Sequence, residues 1–128
     1  MNKTLYAALQ NLNLKEMDAV WLHEPWVRCV HPGWDILEGW EAVRESWQQM
    51  FDVTESMRIT VRTQFIRVEG STAWICCRES ISSAAGGRSS SAQAQATNIF
   101  EKRSGEWYLV HHHASMLPPS RFRDPAGI

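Results

Sequence analysis

The chain has 128 residues, enough for one domain whose core needs neither metal nor disulfide staples. Its 13 basic and 14 acidic residues leave a formal net charge of -1, so nothing draws it to nucleic acid or to an anionic membrane surface. No apolar run reaches membrane-spanning length and the start, Met1–Leu5, lacks the apolar stretch of a signal peptide, so a cytoplasmic location is expected.

Leu5, Leu9 and Leu12 recur at i, i+4 and i+7, which predicts an amphipathic helix over about residues 3–12. Asn13 followed by Glu16 has the spacing of a capping box, so a second helix should begin at Leu14 and bury Met17, Val20 and Trp21 before Pro25. Trp26–Val30, rich in β-formers and bounded by Pro25 and Pro32, is predicted as a strand, and His31-Pro32-Gly33 as a turn. After Gly39, the apolar positions Trp40, Val43, Trp47 and Met50 describe a third helix with one wide apolar face.

From Met57 the period becomes two, predicting a long strand to about Phe65. Glu69-Gly70-Ser71 turns into a second long strand, Thr72 to about Ser82, with Trp74, Cys76, Arg78 and Ser80 on one face and Ala73, Ile75, Cys77, Glu79 and Ile81 on the other. Ser82–Ser91 has the composition of a flexible hairpin loop with Gly86-Gly87 at its tip. A third long strand, Gln93–Arg103, places Ala94, Ala96, Asn98 and Phe100 together.

The last strand holds three of the five histidines: alternation groups Trp107, Leu109, His111, His113 and Ser115 against Tyr108, Val110, His112 and Ala114. Pro118 and Pro119 then end the sheet, since proline donates no ladder hydrogen bond. One domain over residues 1–117 and a C-terminal tail over 118–128 follow from this pattern.

His111 and His113 share a strand face about 7 Å apart at the usual rise, a spacing that supplies two metal ligands but dictates no third. Neither metal nor cofactor is therefore expected. Histidine moves protons near neutrality, which makes His31, His111 and His113 the candidate catalytic groups. Arg78, in the middle of an apolar strand, needs an acceptor, which a carboxylate ligand or an internal acid can supply. Asn98 is its companion on the next strand. Trp26 and Trp34, flanking the His-Pro-Gly turn, are candidates for a pocket rim, whereas Trp40 and Trp47 read as core. Cys29, Cys76 and Cys77 lack metal-type spacing and are expected to be reduced, buried thiols.

Helices followed by a curved meander resemble the cone shared by SnoaL-like and nuclear transport factor 2-like proteins. Ala94–Ser115, with Trp107, His111, His113 and the closing Ser115, is similar to the last two strands of the association domain of calcium/calmodulin-dependent protein kinase type II. Cys29–Trp34, Leu37–Trp40 and Val43–Phe51 resemble bacterial SnoaL-like domains. The resemblance implies an α+β fold in which three N-terminal helices cover the concave face of a strongly curved, mainly antiparallel sheet. It also implies a cavity between helices and sheet, lined in part by Arg78, and homodimerisation through the convex face. Where that association domain carries a second arginine, this chain has Asn98, and no acidic residue matches the proton-transfer base of the superfamily's isomerases and cyclases.

The expected function is thus binding of a small organic molecule, a carboxylate among the candidates, with Trp26, Trp34, Arg78 and Asn98 as ligand contacts. The alternatives are a cofactor-independent isomerase, cyclase or dehydratase that moves protons through histidine, and an oligomerisation module.

Overall fold

The computed structural model of the chain describes residues 1–118; the expected tail, apart from Pro118, lies outside them. The helices α1 (Asn2–Gln10) and α2 (Leu14–Val20) come first, the short strands β1 (Arg28–Val30) and β2 (Leu37–Glu38) precede the helix α3 (Trp40–Val53), and four long strands follow: β3 (Ser56–Glu69), β4 (Thr72–Ala85), β5 (Arg88–Arg103) and β6 (Glu106–Met116). The strand order is β2-β1-β6-β5-β4-β3. The C-terminal four form the anticipated antiparallel meander; β1 then joins parallel to β6, and the two-residue β2, which the sequence reading lacks, pairs antiparallel with β1.

The three helices form where their stripes and caps predict, except that α1 ends at Gln10 and Leu12, expected on its stripe, lies beyond it in a turn at φ 52°. Asn13 caps α2, its Oδ1 accepting from the Glu16 N–H at 3.0 Å while its amide reaches Glu16 Oε2 at 3.2 Å. Leu5 and Leu9 from α1, Met17 and Val20 from α2, and Val43 and Trp47 from α3 are all buried against the sheet. The sheet meets them with small side chains, Ala73, Ala94, Ala96 and Ala114, together with Ile75, Phe100 and Leu109. Small residues there let the helices approach closely, and the large ones fill the space at the ends.

The region expected as a loop, 82–91, is instead ladder. Ser82 pairs with Ser91, Ser83 with Ser90, Ala84 with Ser89 and Ala85 with Arg88, leaving a two-residue turn at Gly86 (φ 58°) and Gly87 (φ 77°). Two consecutive positive φ angles are what a tight hairpin of this twist requires, and glycine adopts them at no steric cost. Serine and alanine composition suggested mobility, but cross-strand register overrides weak strand propensity.

Candidate functional site

Alternation on β4 turns Ala73, Ile75, Cys77 and Glu79 towards the helices, and all four are buried. Arg78 therefore projects from the convex face, where it stands across from Arg62 on β3 and Gln95 on β5. This corrects the expectation that Arg78 and Asn98 line one cavity. The Arg78 Nε is sealed from solvent with no acceptor among the described residues. Asn98, by contrast, does face the helices and is fully buried.

The histidine strand is corrected by a single irregularity. Ile99 pairs with His111 but Phe100 pairs with Leu109, so Val110 is an extra residue on β6. Leu109 is fully buried, and unbroken alternation from it would bring His111 and His113 inside as well. The bulge at Val110 shifts the phase by one. His112 is consequently buried, while His111 is half-buried and His113 exposed on the convex face, their rings 6.2 Å apart beside Arg28 and Val30 of β1. Burial holds His111 below the usual imidazole range, with the neighbouring His113 adding to the effect.

A connected polar cluster occupies the inside of the cone. Tyr6 of α1 donates from Oη to Glu79 Oε2 at 2.6 Å, and lies 3.3 Å from Cys77 Sγ. The Asn98 amide nitrogen donates to Tyr6 Oη and to Asn2 Oδ1, both at 3.0 Å. Its Oδ1 consequently serves as acceptor, and His112 Nδ1 supplies the proton at 2.6 Å. This assigns the His112 tautomer: Nδ1 is protonated and Nε2 keeps its lone pair. His31 is fixed in the opposite sense. Ser46 Oγ donates to the Val43 carbonyl at 2.6 Å and so accepts from His31 Nε2 at 2.8 Å, leaving His31 Nδ1 as the acceptor nitrogen.

The rings of His31 and His112 are 6.4 Å apart, with Trp47 packed edge-on to His31 at 4.6 Å and 6.0 Å from His112. Burial disfavours the charged form of every titratable group in this cluster. It lowers His31 to about 4 and His112 to about 3, the latter helped by neighbouring imidazoles. It raises the Glu79 carboxyl against the opposing pull of the Tyr6 hydrogen bond, and raises the Tyr6 and Cys77 groups as well.

Of the residues singled out in the sequence, His31 and Asn98 belong to this cluster. Trp34 borders it, its ring edge-on to His31 at 5.0 Å and 41% exposed. Trp26 does not touch it, lying instead beneath the Arg103 guanidinium at 5.9 Å. Tyr6, Glu79 and His112, together with Asn2 and Ser46, are the members that sequence reasoning missed. Glu79 carried a signal: its face-mates on β4 are uniformly apolar or thiol-bearing, whereas those of Arg78 include Ser80. A cleft of about 310 Å³ between α1 and β3, lined by Asn2, Lys3, Gln10, Val61 and Thr63 among others, has Tyr6 in its wall. Its size falls at the lower end of small-molecule sites. Cys29 and Cys77 are buried and Cys76 is partly so, all as free thiols.

Three helices on the concave side of an open, curved sheet, with a polar cluster at the centre of the packed layer, define the nuclear transport factor 2-like cone. Within that class, residues 1–119 match the SnoaL-like domain, and the chain belongs to that family. It is 27% identical to a candidate dehydratase of the NTF2-like family from Streptomyces avermitilis, with a TM-score of 0.86 and 92% of each chain covered. A candidate calcium/calmodulin-dependent protein kinase type II association domain from Thiobacillus denitrificans is also 27% identical, with a TM-score of 0.82 over 91% of this chain and 92% of that one. F-box protein SKIP8 of Arabidopsis thaliana is 26% identical over 117 residues, 91% of this chain and 48% of that protein, so the chain spans about half the length of the curated relative it matches.

Proposed function

We propose that the chain binds a small, partly apolar organic molecule on the concave side of its sheet, with Tyr6 and Glu79 as the polar anchor. The observation that carries this reading is a buried carboxyl whose one hydrogen-bonding partner among the described residues, Tyr6, lies in the wall of a cleft. A buried carboxyl is costly to keep for stability alone, because an apolar residue of the same shape avoids the desolvation. Ligand contact gives it a use. His31, Asn98 and Trp34 are retained from the sequence reading as contacts nearby. The test is a thermal-shift screen of ketones, alcohols and acids against the intact chain and its Tyr6→Phe variant. Ligands that raise the melting temperature of the first and not the second support the anchor; a library without a single stabilising compound argues against the binding reading.

A second reading, cofactor-independent isomerase, cyclase or dehydratase chemistry, is favoured by the fixed tautomer of His112. Its Nε2 carries a free lone pair at neutral pH, and Glu79 nearby tends towards the protonated form, which gives one proton acceptor and one donor in the same cluster. The similarity to the Streptomyces protein supports this reading. Exchange of α-protons of ketones in heavy water, abolished in His112→Asn and in Glu79→Gln, is the expected result; exchange that survives both substitutions rules these residues out.

Homodimerisation through the convex face completes the proposal. Phe65 and Trp74 stand there with rings 5.9 Å apart, both nearly half exposed.

A further inference from the structure

The arginines fall into two groups. Arg28, Arg44, Arg67 and Arg103 each meet a carboxylate, on Glu38, Asp18, Glu69 and Glu101 respectively. Arg58, Arg62 and Arg78 meet none among the described residues, and all three share the convex face of β3 and β4. Alternation puts them there: Ile59 and Glu79 are buried towards the helices, so Arg58, Thr60 and Arg62 on β3 look outward together with Arg78, Ser80 and Ser82 on β4.

Two features of this face call for an anion. Arg62 and Arg78 are direct cross-strand partners, an arrangement in which like charges repel. The Arg78 Nε is also sealed from solvent without an acceptor, so neither water nor salt relieves it. The acids nearest in sequence are engaged elsewhere: Glu79 with Tyr6, and Glu55 with the Gly87 N–H at 2.9 Å. One row towards the hairpin, a groove of about 600 Å³ opens on the same face, lined by Arg58, Thr60, Ser80, Ser82, Ser91 and Met116 among others. Its size suits a small molecule. Ser80 Oγ accepts from Gln93 Nε2 at 3.3 Å, which leaves its own proton to donate.

We propose that this face binds a small organic phosphate ester, its phosphate held at the Arg62–Arg78 pair and the rest of the molecule lying in the groove. Successive side chains on one strand face stand about 7 Å apart, a gap that an arginine spans, so both guanidinium groups reach the Thr60–Ser80 row. A carboxylate carries one charge and two oxygens, and it would leave one guanidinium of the pair unmatched. A phosphate monoester near neutral pH carries close to two charges and three terminal oxygens, enough for both forks and the Ser80 hydroxyl. Arg58 stands about 13 Å further along β3, at the other end of the groove. Phe65 and Trp74 lie on the opposite side of the arginine pair, so the groove is separate from the aromatic patch, and the concave side plays no part.

Titration calorimetry of the intact chain, near neutral pH and at fixed low salt, tests this with phenyl phosphate, benzoate and inorganic phosphate. Phenyl phosphate should bind at least about tenfold tighter than benzoate, and tighter than inorganic phosphate because the groove receives the ring. Arg62→Gln and Arg78→Gln should each weaken it at least about tenfold, whereas Arg88→Gln, which removes the same charge from the hairpin turn, should change it less than about twofold. Arg62 is exposed, so its variant, checked by circular dichroism, carries the test even if Arg78→Gln does not fold. Equal losses in all three variants would mean a diffuse field and no site. That result, benzoate binding as tightly as phenyl phosphate, or no heat from phenyl phosphate at millimolar concentration would each overturn the proposal. Inorganic phosphate binding as tightly as the ester would overturn the organic part of it.

Discussion

Asn98 is the residue on which the interior turns, because one amide sets the orientation of three neighbours. Its nitrogen is committed to Asn2 and Tyr6, and its oxygen to His112. Such a chain is worth more than its separate bonds, and breaking it leaves buried groups unpaired. Tyr6→Phe deletes the donor to Glu79 and the acceptor of Asn98 together, and is expected to cost about 2–3 kcal/mol in urea unfolding. A loss below about 0.5 kcal/mol would mean that water already serves those groups. The histidines make a pH prediction whose sign is fixed by burial. Both have folded pKa values below the unfolded one, so the unfolded chain binds more protons and stability falls as pH drops below about 6.5. Glu79, shifted upward, works in the opposite direction, gaining stability as pH falls towards its unfolded value. In a Glu79→Gln background the imidazoles act alone, and each should cost roughly 2 kcal/mol between pH 6.5 and 5, the full shift lying further down. A flat profile in chemical denaturation over that range would show that both rings accept protons in the folded protein.

At the scale of elements, helices and strands were legible because their periods are strong: the Leu5–Leu9 and Val43–Trp47 stripes, the Asn13 cap and the two-residue alternation of β3 to β5 all appear where expected. The face of each side chain was less so. One extra residue, Val110, reverses which histidines look inward, and a bulge has no signature in a strand whose neighbours are all β-formers. Glu79 and Arg78 are adjacent and both charged, so charge alone does not say which is inside; the apolar and thiol-bearing face-mates of Glu79 on β4 point to it, and the contact with Tyr6 decides it. The β2 strand escaped because two residues carry no period. Asn13→Ala should lower stability by about 1 kcal/mol through loss of the α2 cap, with the cluster's spectroscopic signals unchanged. Hydrogen exchange offers a second check at this scale. Ladder amides between Ser82 and Ser91 should exchange more slowly than those of a solvated loop, and exchange as fast as in an unstructured peptide would contradict the hairpin pairing.

For the whole molecule, the two faces of the sheet divide the work. The concave face is covered by three helices and holds the polar cluster; the convex face keeps Phe65, Trp74, Arg62, Arg78, His111 and His113. Apolar rings grouped on an uncovered sheet are characteristic of a protein interface. Light scattering of the intact chain should therefore give the mass of a dimer at micromolar concentration, and Trp74→Glu should shift it to monomer. A monomeric mass for the unsubstituted chain would remove self-association from the proposal. The ligand measurements are best compared at matched concentration, since assembly and binding both raise the melting temperature.

The parallel pairing of β1 with β6 has a consequence for synthesis. Arg28, Cys29 and Val30 have β2 as a sequence-local neighbour on one side, but on the other they pair with the distant His111, His112 and His113, and the bridge between Trp21 and Leu109 joins the same distant segments. During translation the first helices and strands emerge long before the strand that docks them, and that strand also delivers His112 to Asn98. Non-local closure of this kind slows folding and leaves apolar surface waiting. A nascent chain stalled before β6 would thus present Trp21, Cys29 and His31 without their covering strand, a natural target for a chaperone, and the buried polar cluster would assemble in one step once β6 docks.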